Sequence, residues 1–244
     1  MKDIDFVHLS DTHLGYRQYG LDGRFKDWGR ATRQVIDYAV DHDVDAVIHS
    51  GDLFNSAKPG RDALLQATQI FEPLKERGIP FLVIKGNHDR ERGKQRCGAI
   101  DVLDRLKYCE LLDPSGKDIS EAVYKLNGYN FIGLGYPGTD LEGWIDDLSE
   151  KLPEKRDNIV LLHAGVEGHF ERWAPHITLE ELKKLKEKNH LSRPGPLPRF
   201  IQAGQLGFQP RERREREDRT AAEPKNILSC GDGGEERECD RDRD

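Results

Sequence analysis

The sequence predicts an α/β sandwich: two mixed β-sheets packed together and flanked by helices. Three observations lead there. Residues 4–90 alternate short apolar runs with longer stretches of helical period, the pattern of βαβ units. Two alternating runs flank Asn127-Gly128-Tyr129, which reads as a hairpin and adds an antiparallel element. Clusters of Asp, Asn and His fall where the apolar runs end, the place where open α/β sheets build their sites.

The elements follow in order. An apolar run over residues 4–9 predicts the first strand, ending at Asp11 and His13. Residues 16–26 are polar and read as a loop. Trp28, Ala31, Val35, Ile36 and Ala39 share one face of a helix over 28–41. Residues 44–50 predict a second strand closing on Gly51-Asp52. Leu64, Leu65, Ile70, Phe71 and Leu74 give residues 61–77 the helical period. A third strand over 80–85 runs into Gly86-Asn87-His88-Asp89. A helix over 99–107 precedes the hairpin strands 122–126 and 130–134. A helix over 141–152 leads to the apolar strand 159–162, which stops at His163. Thr178 and Glu181 stand at capping-box spacing and open a short helix over 179–188.

Composition changes near residue 190. Residues 1–190 hold 15 Lys and 12 Arg, against 1 Lys and 10 Arg in 191–244. The last stretch has no Val, Tyr, Trp or His, and its few apolar residues follow neither period. We expect one domain over 1–190 and a low-complexity tail, disordered or frame-shifted, over 191–244. The net charge of -7 excludes general electrostatic affinity for nucleic acid, so a DNA-binding chain of this balance needs local cations. No signal peptide and no run of membrane-spanning length is read, and Cys97, Cys109, Cys230 and Cys239 form no CxxC pair. A cytoplasmic protein without membrane contact is expected.

Four strand ends offer Asp11 with His13, Asp52, Asn87 with His88 and Asp89, and His163. Oxygen and imidazole donors in this number suit two adjacent divalent metals sharing one carboxylate. A bridging group must be short and anionic, which selects Asp52. Asp11 and His13 are expected to complete one site, and Asn87 and His163 the other. His88 is expected to face a phosphate as an acid or a charge-stabilising group, with Asp89 orienting its ring. Arg90 is a candidate phosphate contact.

These residues carry a resemblance. Asp-x-His, Gly-Asp, Gly-Asn-His-Asp and a later strand-end His resemble the calcineurin-like metallophosphoesterases. Within that superfamily, His13-Leu14-Gly15-Tyr16, Gly51-Asp52-Leu53-Phe54, Gly86-Asn87-His88-Asp89-Arg90 and Leu162-His163-Ala164-Gly165-Val166 resemble the DNA double-strand-break repair nucleases. The resemblance covers roughly residues 3–190. It implies a metallophosphoesterase sandwich, two divalent ions (Mn2+), hydrolysis of DNA ends or single strands, and an SMC-like ATPase partner. The region that binds that ATPase is expected to have no counterpart here, and a homodimer is a further expectation.

Two departures from the family stand out. Asn55 occupies a substrate-binding position where many members carry a phosphate-positioning histidine. No Gly-His-x-His follows the 179–188 helix, which removes one ligand from each metal and implies weak metal binding and low activity. Gly168-His169 lies too soon after His163 to replace it. Codons for Ser192 to Arg199 exist that, read one nucleotide on, give Val-Ala-Leu-Gly-His-Phe-His, so the departure is compatible with a frameshift near residues 189–192. Two other functions are compatible with the motifs: a small-molecule phosphodiesterase or phosphatase, and a non-catalytic DNA-binding relic. His8 and His49 read as core or supporting groups, His42 as a helix end, and His176 and His190 as surface residues.

Overall fold

Side-chain alternation along the strands builds four layers, with two stacked sheets between outer helices. The computed structural model describes residues 4–91, 97–114, 119–136, 138, 141–151, 157–166, 176–178, 180–181 and 199–202. The chain divides into two units, Met1–Gln209 and Pro210–Asp244, and every described residue belongs to the first.

The first sheet has the order β1-β2-β3-β4, formed by Phe6–Leu9, Ala46–His49, Phe81–Val83 and Glu110–Leu111. Its three pairings are all parallel. The helices α1 (Asp22–Asp41), α2 (Arg61–Arg77) and α3 (Ala99–Arg105) accompany it. The second sheet has the order β10-β7-β6-β5, formed by Arg199–Gln202, Asp157–Leu162, Tyr129–Gly133 and Val123–Leu126. There β5 and β6 are antiparallel while β7 is parallel to both β6 and β10. Mixed pairing, expected in both sheets, is therefore confined to the second.

Period-two alternation sorts the core. Val47, Phe81 and Val83 face the α1–α3 side with Ile36, Phe71 and Leu74. Ile48, Leu82 and Ile84 face the other way and meet Phe131, Ile159 and Leu161 of the second sheet. Phe6 and Phe131 cross edge to face there, with ring centroids 5.9 Å apart. Ile132, Val160 and Leu162 alternate outward against Ile145 and Leu148 of α4 (Leu141–Lys151). Each fully buried Leu, Ile or Phe contributes on the order of 2 kcal/mol, so these strands, covered on both faces, read as continuous apolar runs.

Several expectations need correction. Residues 16–26 are not all loop: α1 begins at Asp22, before the apolar stripe starts. Its first turns are polar, with Arg24 and Arg30 both paired to Asp27, and Phe25 is covered by the Arg17 guanidinium at 4.5 Å. Leu21 provides no side-chain cap, so neither a cap nor a period announces that start. The short β4 went unpredicted, as did the pair of β8 (Gly165–Val166) with β9 (His176–Ile177). Residues 199–202 of the expected tail form a strand in register with Ile159 to Leu162. Most of the predicted 179–188 helix lies outside the described residues. Its capping box is present: the Thr178 hydroxyl accepts from Glu181 N–H at 3.1 Å, and Glu181 Oε2 accepts from Thr178 N–H at 2.7 Å.

Candidate metal centre

The backbone shapes the site first. Beyond β1 and β2 the two chains stay hydrogen-bonded: Asp11 N–H donates to Gly51 O at 3.0 Å, His13 N–H to Asp52 O at 3.0 Å, and Leu14 N–H to Leu53 O at 2.8 Å. Asp11, His13 and Asp52 all have positive φ, at 53°, 42° and 57°. L-residues seldom occupy that region, and three together mark strain that the surrounding hydrogen bonds sustain. Between them, the buried Thr12 hydroxyl donates to Leu53 O at 3.1 Å and so accepts the Nε2–H of fully buried His49 at 3.0 Å. At Gly51, with φ 96°, a Cβ would stand 2.5 Å from His163 Nδ1, so only glycine admits that ring.

Asp52 is the hub. Its Oδ1 accepts the His88 N–H at 2.9 Å. Its Oδ2 faces two imidazoles, His163 Nε2 at 3.6 Å and His13 Nε2 at 3.9 Å. Two donor groups share it, Asp11–Asp52–His163 and His13–Asp52–His88, each with its donor atoms within 4.8 Å of one another. Asn87 joins the first through its Oδ1, 3.1 Å from His163 Nε2. The five residues expected to hold metal, Asp11, His13, Asp52, Asn87 and His163, thus lie close together around Asp52.

The residues fit a pair of cations. Asp11 Oδ2 and His13 Nδ1 are buried without a hydrogen-bond partner, an arrangement that costs free energy unless something binds there. His163 donates its Nδ1–H to Ser50 O at 2.8 Å. In the neutral ring its Nε2 lone pair then confronts the Asn87 amide oxygen and Asp52 Oδ2, acceptor against acceptor. A divalent metal resolves that conflict. Burial, reinforced by His88 and His163 against the pull of Asp52 and Asp11, lowers the His13 pKa and favours the unprotonated ring that a ligand must present.

Asp89, expected to orient the His88 ring, bonds to backbone instead. Its buried carboxylate accepts from the backbone N–H of Phe54 at 2.9 Å, Gly86 at 2.9 Å and Leu53 at 3.1 Å, binding the two ligand loops together. Burial pushes its pKa up to about 6, against those three donors. The His88 ring is held elsewhere: its Nδ1–H donates to the backbone carbonyl of Asn55 at 3.0 Å. Sequence spacing favoured an adjacent carboxylate, whereas the loop after β2 supplies a closer acceptor. Arg90 is exposed, 6.0 Å from the Tyr136 ring, which in turn lies 6.3 Å from that of His163. His49 was expected as a core or supporting group, whereas Ser50 and Thr12 were missed as supports of the donor side chains. Only their position beside Asp11, His13 and Gly51 hinted at it. His8 contacts the Ser50 hydroxyl at 2.8 Å, and His42 caps the end of α1. His169 and His190 lie outside the described residues, and His176 belongs to β9.

A family model for calcineurin-like phosphoesterases matches residues 4–193. The chain belongs to the calcineurin-like phosphoesterase family. Among curated proteins it resembles the DNA double-strand break repair protein Mre11 of Saccharolobus solfataricus, 36% identical over 67% of this chain and 42% of the relative. The Mre11 of Sulfolobus acidocaldarius is 34% identical over 74% of this chain and 47% of its own length. The chain thus spans less than half of these calcineurin-like relatives. The crystal structure of TT1561 of Thermus thermophilus shares the fold, with a TM-score of 0.50 at 15% identity over 84% of this chain and 83% of that one. No helix among the described residues is long and apolar enough to cross a membrane.

Proposed function

We propose that this calcineurin-like phosphoesterase is a metal-dependent phosphodiester hydrolase acting on DNA, with Mn2+ as its cation. One observation carries the reading: Asp52 Oδ2 faces imidazoles of both donor groups, as a carboxylate shared by two ions must. Asp11, His13, Asn87 and His163 are the remaining ligands. Bound, the ion pair would neutralise the phosphoryl oxygens and acidify a water for in-line attack. Asn87 keeps one ligand neutral, which limits repulsion of an anionic substrate. Arg90, exposed beside Tyr136, would contact a flanking phosphate. A net charge of -7 makes such local cations necessary for any nucleic acid to approach.

The relatives' role in double-strand-break repair favours DNA over a small phosphodiester, and an SMC-like ATPase remains the partner implied by the family. The test is hydrolysis of labelled duplex and single-stranded DNA and of bis(p-nitrophenyl) phosphate by the full chain, with and without Mn2+. Turnover above that of Asp52→Asn supports the reading, at a low level because Gly-His-x-His is missing. Turnover of nitrophenyl phosphates or cyclic nucleotides with DNA untouched would replace it with a small-molecule hydrolase. DNA binding unaffected by Mn2+ and without cleavage would leave a non-catalytic binder.

A further inference from the structure

The chain leaves β6 through Leu134 and Gly135 and reaches Tyr136 at the rim of the metal centre. This stretch is pinned on both sides. Tyr136 N–H donates to Lys85 O at 2.8 Å, and His163 N–H donates to Gly135 O at 3.4 Å. Tyr136 thus stands between the loop that carries Asn87 and the strand end that carries His163. Its side chain is not part of the interior. Residues 129–135 are buried, whereas Tyr136 is half-buried and joins none of the three apolar clusters of the described residues. Two groups of the site flank its ring instead. The His163 imidazole lies 6.3 Å away between centroids, and the Arg90 guanidinium stands over the ring at 6.0 Å. A flat apolar surface therefore spans the gap between an imidazole of the metal centre and an exposed cation.

We propose that Tyr136 is a nucleobase-stacking surface: with a phosphate at the cations, the adjoining base lies on the Tyr136 ring and the next phosphate meets Arg90. The proposal rests on the DNA-hydrolase reading above and narrows its substrate. Charge alone serves this chain poorly, because a net charge of -7 and the carboxylates of Asp11 and Asp52 repel a strand. Stacking on an aromatic face depends neither on charge nor on base identity, and contributes on the order of tenfold in affinity per base. At 6.0 Å the guanidinium is at the outer limit of a cation–π contact, so it is free to turn toward a phosphate as the base arrives. The backbone on both sides of the ring is already held, so the surface exists before the strand binds. A base reaches it only after leaving its own stack, which makes single strands and frayed ends the preferred form over closed duplex.

The test compares strands that differ only in their bases. A short fluorescent single strand of thymidines and an abasic strand of the same length and backbone are titrated with the full chain in Mn2+, and anisotropy reads binding. The wild type should bind the thymidine strand at least about fivefold tighter than the abasic one. Tyr136→Leu should lose that preference while binding the abasic strand as the wild type does, and Tyr136→Phe should keep it. A wild type that binds both strands equally overturns the proposal and leaves the hydrolase reading standing, and this arm needs no variant to fold. Tyr136→Leu with the wild-type preference overturns it too, as does Tyr136→Phe without it, which would assign the effect to the hydroxyl. A wild type that binds neither strand overturns the proposal together with the reading of DNA as the substrate.

Discussion

Gly86 lies directly against Asp52: a Cβ built on it would fall on the Oδ1 oxygen and the amide nitrogen of Asp52. The Gly-Asn-His-Asp loop and the Gly-Asp loop touch at this point, and glycine is what lets them close. Gly86→Ala should therefore push the Asp52 carboxylate away from the histidines. We expect a loss of about 1–3 kcal/mol from overpacking and at least tenfold weaker Mn2+ binding. Differential scanning calorimetry with and without Mn2+ reads both, and an unchanged melting point and affinity would show that the loop yields.

Asp89 gathers three backbone N–H groups from Leu53, Phe54 and Gly86. Removing the acceptor strands each of them at about 1–3 kcal/mol. Asp89→Ala should thus cost at least about 3 kcal/mol in urea unfolding, and Asp89→Asn, which keeps one oxygen, clearly less. Equal losses in the two variants would mean that the carboxylate's size matters and its hydrogen bonds do not.

Burial lowers the His8 pKa from 6.5 to about 4. Between those values the unfolded chain takes up a proton that the native ring refuses, so native stability is full above pH 6.5 and falls as the pH drops toward 4. The share due to His8 is on the order of 1–3 kcal/mol, allowing for the ring's partial exposure. His8→Gln should flatten the acid side of a stability-against-pH curve. An unchanged slope between pH 6.5 and 4 would assign the acid sensitivity to other groups.

Lys85, one residue before the Gly86 turn, ties three segments together. Its ammonium meets Asp101 at 2.9 Å, Glu91 at 3.3 Å and Asp113 at 3.6 Å. Burial opposes its charge, but the three carboxylates hold its pKa above the ordinary value. Lys85→Met leaves those carboxylates facing one another without a cation and should cost about 2–4 kcal/mol, while Lys85→Arg should cost less. Chemical denaturation in low salt measures it. A Met variant as stable as the wild type would mean that apolar packing offsets the lost ion pairs.

Much of the fold was legible because local chemistry decided it. Helix α2 runs from Arg61 to Arg77 as its apolar period demands. Asn127 and Gly128 turn the hairpin with φ of 51° and 92°, the left-handed pair that such residues allow. The strand-end clusters were legible too, since a strand that stops at Asp, Asn or His carries its own signal. The start of α1 and the strands β4 and β10 were not, because polar exposed turns and segments of two to four residues leave no period to count.

From the sequence alone come the donor types, their places at the strand ends and the proposal of Asp52 as the shared carboxylate. The tertiary structure alone decided which donors stand together. Asp11 and His13 are two residues apart, both with left-handed φ, and each stands near Asp52 with a partner from a distant strand end. It also decided that Asp89 serves backbone amides while a carbonyl from another loop holds His88. The physical reason is that spacing along a chain fixes which residues are close neighbours in sequence. Donor convergence depends instead on sheet order, local φ and the nearest available acceptor, which exist only once the loops have packed together.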